Sequence, residues 1–193
     1  MLGVTMMLTW LGTGAPRLEG VRVVLADRRM RATGAMVSTA DGDEQAYSAT
    51  YSLATTDDGV VSRVSVRAVN ADGERQVTLN RSEEGFWLVD HGQGAERTSF
   101  DGAVDVDVAA CVLFNAIPVR RLGLHRQAGE HDLPVVYVRL PDLTVQVVRQ
   151  TYRGSPMVAG PPVVSFRQDD FTADLTVDDD GLVVDYPGLA RRV

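Results

Sequence analysis

The chain has 193 residues, 45% hydrophobic and 23% charged, with 26 acidic residues against 19 arginines, no lysine and a formal net charge of −7. That length supports a single domain, residues 1–193, with a substantial core, and the acidity argues against binding nucleic-acid backbones or being drawn to an anionic leaflet. A lone cysteine, Cys111, excludes an intramolecular disulfide and suits a small buried side chain in a reducing, cytoplasmic setting rather than a nucleophile.

The first twelve residues are apolar but have neither the basic region nor the cleavage site of a secretory signal, and they are too few for a membrane helix. They read as a soluble N-terminus and an opening strand, with a start at Met6 or Met7 as the alternative. Beyond them, period-two alternation recurs and sustained helical periodicity does not. Val64, Val66 and Ala68 alternate with Arg63, Ser65 and Arg67; Val104, Val106 and Val108 alternate with Asp105 and Asp107; Phe171, Ala173, Leu175 and Val177 alternate with polar residues. This is the pattern of half-buried strands. Asp-Gly turns at 41–42, 58–59, 72–73, 101–102 and 180–181 punctuate an antiparallel meander. Val108 to Asn115, continuously apolar, is the one candidate short helix.

Thr50 to Val61 echoes Ala173 to Val184, with a looser copy from Leu79 to Asp90, each reading as strand, acidic turn, strand. Such a repeat favours two related halves of one large sheet. The proline- and glycine-rich stretch 154–162 reads as a long loop. Asp178-Asp179-Asp180-Gly181 lacks the glycine and glutamate positions of a calcium loop and is taken as a solvated turn. No catalytic motif is present: Gly92-Gln93-Gly94 lacks the rest of a dinucleotide fingerprint, and His91, His125 and His131 have no metal-ligand spacing and read as surface residues.

Asp105 and Asp107, two apart on a strand, share a face. An outward-facing surface is the first reading, an ion pair with Arg120 or Arg121 the second, and acid/base chemistry the third. The arginines end an apolar run, Phe114-Asn115-Ala116-Ile117-Pro118-Val119-Arg120-Arg121-Leu122, where burial demands a counterion or a ligand. Alternating on a strand, one of them would face the interior.

This run, with Asp101 to Asp107 before it and Val138-Arg139-Leu140-Pro141-Asp142-Leu143, Gln150-Thr151-Tyr152 and Asp180 to Leu189 after it, resembles the bacterial family described as putative glycolipid-binding, a domain of unknown function. Gly85 to Asp90 and Tyr47 to Tyr51 extend the resemblance over most of the chain. Where the family pattern reads Thr-Leu-Pro-Ile-Arg-Arg, this chain has Ala116-Ile117-Pro118-Val119-Arg120-Arg121, which drops a hydroxyl and keeps both arginines.

The resemblance implies an all-β fold, a large antiparallel sheet curved into a barrel or half-barrel of two related halves. It also implies a soluble protein binding a glycolipid or other amphiphile in a concave apolar cavity, with arginine at the head-group end. The expected ligand-binding residues are Arg120, Arg121, Asn115, Trp87, Phe114, Asp107 and Tyr186, with no cofactor, no nucleic acid and no stable membrane insertion. Each has a competing structural reading: Trp87 as core, Tyr186-Pro187-Gly188 as a strand-ending turn, and the arginines as partners of Asp105, Asp107 or Asp185. Two other functions stay open: an enzyme on an acyl, isoprenoid or glycosyl compound using Asp105, Asp107 or Asp185, and an interaction protein using an exposed strand edge.

Overall fold

The computed structural model describes residues 3–42, 45–155 and 160–193. Met1, Leu2 and the middle of the 154–162 stretch read as a loop lie outside the described residues. The strands are β1 (Val4–Gly12), β2 (Arg17–Ala26), β3 (Arg29–Ser38), β4 (Tyr47–Thr55), β5 (Val61–Asn70), β6 (Gly73–Arg81), β7 (Trp87–Asp90), β8 (Ala95–Thr98), β9 (Asp105–Val108), β10 (Gly129–Val138), β11 (Val145–Ser155), β12 (Val163–Gln168), β13 (Phe171–Val177), β14 (Val183–Tyr186) and β15 (Ala190–Arg192). Between β9 and β10 lie a 3-10 turn, Val112–Asn115, and one short helix, α1 (Ala116–Leu122).

Alternation produces the strands as expected. Met30, Ala32, Gly34, Met36 and Ser38 of β3 face one side, and Tyr47, Ala49, Tyr51, Leu53 and Thr55 of β4 join them there, while the residues between them point outward. Burying one face of each strand stabilises the fold by roughly 25 cal/mol per Å² of apolar surface removed from water.

All fifteen strands form one sheet in the order β8-β7-β6-β5-β4-β3-β2-β1-β15-β14-β13-β12-β11-β10-β9. The first and last strands in sequence therefore meet in its middle, with Trp10 opposite Arg192 and Gly12 opposite Ala190. Every pairing is antiparallel except β9 with β10. The all-β expectation holds, but the barrel or half-barrel does not. The sheet is open, with β8 and β9 as its two unpaired edges. A barrel needs a ladder between its edges, and β8 offers only four residues, Ala-Glu-Arg-Thr, exposed and partly charged, as sheet edges commonly are. The start of β5 meets the run before β9 through one backbone hydrogen bond, Val61 N–H to Val104 O at 3.0 Å, which is not a ladder.

The repeat is real at the level of hairpins, and all three copies named from sequence share it. In the β4–β5, β6–β7 and β13–β14 turns the same two bonds recur: Thr56, Ser82 and Asp178 donate to Val60, Phe86 and Leu182, and Gly59, Gly85 and Gly181 donate back to Thr56, Ser82 and Asp178. The three glycines have φ of 82°, 89° and 75°, which glycine adopts without steric cost. Asp178 fastens its own turn, its Oδ1 accepting from Asp180 N–H and Leu182 N–H.

The segment through α1 lies on the buried face and fills it. Val112, Leu113, Phe114, Asn115, Ala116, Ile117, Pro118, Val119 and Arg120 are all buried. Phe114 packs tilted against Tyr51 of β4 at 5.0 Å between ring centroids, and Asn115 reaches Tyr152 of β11. The interior expected to hold an apolar cavity is thus largely occupied by the protein's own chain. The arginine run is helical rather than extended, because Pro118 is the third residue of α1, where no intrahelical acceptor awaits its missing N–H.

Gly34 is where the sheet admits an aromatic ring. It pairs with Tyr51, and a Cβ at Gly34 would lie 2.2 Å from Tyr51 Cζ. Gly34→Ala should therefore displace the ring and destabilise the fold by about 1–3 kcal/mol, read as a lowered urea midpoint. A change within error would mean that Tyr51 moves aside freely.

Candidate functional site

Asp107 sits on β9 opposite Tyr137 of β10. Beside it, Phe166 and Gln168 come from β12, Phe171 from β13 and Tyr186 from the end of β14, and together with Asn115 and Cys111 they line a cleft of about 380 Å³. The rings form a cluster: Phe166 and Tyr186 are 6.0 Å apart, Phe171 and Tyr186 6.1 Å, and Phe166 and Phe171 6.2 Å. Phe171, 46% exposed, stands at the mouth. Such centroid spacings are those of attractive edge and tilted contacts.

Beneath the rings runs a buried hydrogen-bond chain. Asn115 Nδ2 donates to Tyr152 Oη at 2.9 Å, Tyr152 Oη donates to Gln150 Oε1 at 3.0 Å, and Gln150 Nε2 donates to Asp107 Oδ2 at 2.7 Å and to Gln168 Oε1 at 2.8 Å. The chain orders the polar floor of the cleft. Among the described residues no cation lies within 4.0 Å of the Asp107 carboxylate. Burial pushes its pKa up to about 7, against the hydrogen bonds from Gln150 and the Val108 backbone that favour the charged form. The same burial, with Asp107 nearby, pushes Tyr137 up to about 12 and raises Tyr186 as well.

Three of the seven residues expected from sequence line this cleft: Asp107, Asn115 and Tyr186. The others are elsewhere. Trp87 is fully buried, with its Nε1 donating to Ala103 O at 2.9 Å, and Phe114 packs on Tyr51. Arg121 holds Asp105 through two contacts, Nε to Oδ1 at 3.0 Å and Nη2 to Oδ2 at 2.5 Å. Asp105 is 1% exposed, so the outward-facing reading of that carboxylate gives way to the ion pair. Arg121 from α1 covers the Asp105 end of β9, which a two-residue alternation cannot announce. Arg120 lines a different cavity, at the β2–β3 and β13–β14 turns. Two equivalent glycine turns pack against the arginine pair: a Cβ at Gly59 would lie 3.2 Å from Arg121 Cβ, and one at Gly181 3.0 Å from Arg120 Cγ. Tyr137, Gln150, Phe166, Gln168 and Phe171 were not among the expected residues. Phe171 opens a run whose alternation marks a strand, but only the sheet order gathers the five.

A family model described as "Putative glycolipid-binding" matches residues 7–192. Among solved structures, a DUF1089 family protein from Pseudomonas aeruginosa is similar, with a TM-score of 0.71 and 26% identity over 91% of this chain and 92% of that one. A protein described as beta-barrel-like, of the domain of unknown function DUF1849 from Brucella abortus, aligns with a TM-score of 0.53 and 10% identity over 100% of this chain and 96% of that one, a likeness of fold. No curated protein matches.

Proposed function

The chain belongs to the family described as "Putative glycolipid-binding", whose model spans residues 7–192, and from that premise we propose that it binds an amphiphile whose hydroxylated, sugar-like head group enters the Asp107 cleft. The observation that carries this reading is the convergence of Tyr137, Phe166, Phe171 and Tyr186 on a polar floor of Asp107, Asn115 and Gln168. Aromatic faces accept the apolar side of a sugar ring, while a carboxylate and two side-chain amides accept from and donate to its hydroxyls. A volume of about 380 Å³ lies at the small end of ligand sites, roughly 300–1,000 Å³, which favours a head group as the enclosed part. An acyl chain would leave past exposed Phe171, with each methylene it buries adding about 0.8 kcal/mol. Among the described residues no helix is long and apolar enough to cross a membrane.

Octyl glucoside below its micellar concentration should bind saturably in calorimetry, and methyl glucoside more weakly at the same site. Tyr186→Ala should weaken binding about tenfold through lost stacking area. Absence of saturable heat with both compounds, or equal binding by Tyr186→Ala, would overturn the assignment.

One observation favours a second reading, an acid/base carboxylate: Asp107 borders the cleft, and burial pushes its pKa up to about 7. Asp107→Asn separates the two. A binder loses affinity, whereas an enzyme keeps affinity and loses turnover of glycoside or ester substrates.

A further inference from the structure

A second cavity, about 540 Å³, opens where the β2–β3 turn, the end of α1 and the β13–β14 turn meet, and it is lined by Arg28, Arg120, His125 and Arg126 together with Asp27 and Asp180. Three guanidiniums in one cavity stand out in a chain of net charge −7. Among the described residues, none of Arg28, Arg120 or Arg126 has a carboxylate within 4.0 Å, whereas the adjacent Arg121 is fully paired.

Arg120 is held rather than neutralised. The residue is largely buried, and its two Nη groups donate to the backbone carbonyls of Asp180 and, at 2.5 Å, of Asp27. Carbonyls orient a guanidinium but leave its charge intact, and the guanidinium stays protonated at any physiological pH. Among the described residues its buried Nε has no hydrogen-bond partner, and the His125 ring beside it interacts with the Val119 backbone. A buried donor left unpaired is destabilising, and an acceptor placed in the cavity would remove that cost. Gly123, at φ 69°, ends α1 and turns the chain so that His125 comes back beside Arg120. Gly181 allows the close approach, since a Cβ there would lie 3.0 Å from both Arg120 Cγ and His125 Nδ1.

We propose that this cavity is an oxyanion site for a phosphoryl group, with Arg120 fixed at its wall, His125 beside it, and Arg28 and Arg126 closing over the charge. The planar donor fork of arginine matches phosphate oxygens in geometry as well as sign. The Asp180 carboxylate acts on Arg120 through its charge and offsets part of the positive charge of the cavity, which suits one small oxyanion rather than a polyanion. Asp178 is occupied by Arg192 at 2.7 Å. This inference rests on a different cavity from the sugar-type cleft, at the opposite end of β14, and stands or falls separately from it.

The test uses the whole chain and its three histidines. Inorganic phosphate titrated at constant ionic strength should move the His125 imidazole signals saturably in the millimolar range, with His91 and His131 as internal references. In a second arm, the protein should sediment with phosphatidylcholine vesicles containing phosphatidic acid and not with phosphatidylcholine alone. A response to free phosphate assigns a soluble phosphoryl ligand, and a response only to phosphatidic acid assigns a lipid phosphomonoester. The R28Q/R126Q variant changes two exposed side chains, should keep the wild-type urea midpoint, and should lose affinity about tenfold or more in whichever arm responds. No response in either arm, equal movement of all three histidines, or full affinity in R28Q/R126Q would overturn the proposal.

Discussion

Arg121→Met is expected to lower the stability of the fold by about 3–5 kcal/mol, the cost of leaving a buried charge without its partner. The pair is enclosed, with side-chain exposures of 15% for Arg121 and 1% for Asp105, and its geometry is bidentate. Burial already holds the Asp105 carboxyl above its ordinary value, although the guanidinium acts to lower it. Without Arg121 that carboxyl must take up a proton or stay charged in an apolar setting, so the loss should be greater at alkaline than at acid pH. The Arg121→Met/Asp105→Leu double variant should recover most of the stability, because a well-packed apolar pair avoids both desolvation costs. Urea midpoints at unchanged slope would decide the matter. A single-variant loss below about 1 kcal/mol would mean that water reaches Asp105 and the pair behaves as a surface bridge.

The second large effect is a decline in stability as pH rises through neutrality. Glu19 of β2 lies beneath α1's leading segment, with Oε1 accepting from Tyr51 Oη at 2.5 Å and Oε2 accepting from Val112 N–H at 2.7 Å. Burial pushes its pKa up to about 7, against those bonds, a bond from the Leu113 backbone and the charge of Arg17. Asp107 is raised to a similar value. An unfolded chain releases these protons near the ordinary carboxyl values, so between those values and about 7 the native state binds more protons than the unfolded one. Stability then falls with rising pH across that window and levels off above it, by roughly 3–4 kcal/mol for each group over the full range. Glu19→Gln should flatten its share of the slope and raise stability at mildly alkaline pH. Like a protonated glutamate, a glutamine can accept from Val112 and donate to the Tyr51 oxygen. Identical slopes for wild type and Glu19→Gln in urea titrations from about pH 5 to pH 8 would show that the Glu19 site is hydrated.

Strand identity was legible in strands such as β5, where buried Val64, Val66 and Ala68 alternate with less buried residues. The glycine turns were legible because a positive φ leaves a mark in composition. Closure was not: whether β8 and β9 pair depends on groups at the two ends of a sheet order that alternation does not encode. Pro118 misled in a specific way. It reads as a breaker of regular structure, yet in the first turn of α1 it costs nothing, and the helix it permits sends Arg120 and Arg121 to different destinations rather than to opposite faces of a strand. Asp107, Asn115 and Tyr186, named with the family resemblance, line one cleft together, whereas Tyr137, Gln150 and Phe166 needed the tertiary arrangement. They resemble any other strand residue until β9, β10, β11, β12 and β14 are set side by side.

The seam between β1 and β15 imposes an order on assembly. Trp10 and Arg192 are separated by nearly the whole chain, and the seam is fastened by Trp10 Nε1 donating to Val183 O at 2.9 Å and by Val193 N–H donating to Thr9 O at 3.0 Å. During synthesis the meander from β1 to β8 can form early, but the side of β1 that awaits β15 keeps its backbone groups unpaired until the final strand emerges from the ribosome. With Met7 and Leu11 exposed on the same strand, the nascent protein carries in that interval an open, apolar edge of the kind that chaperones shield.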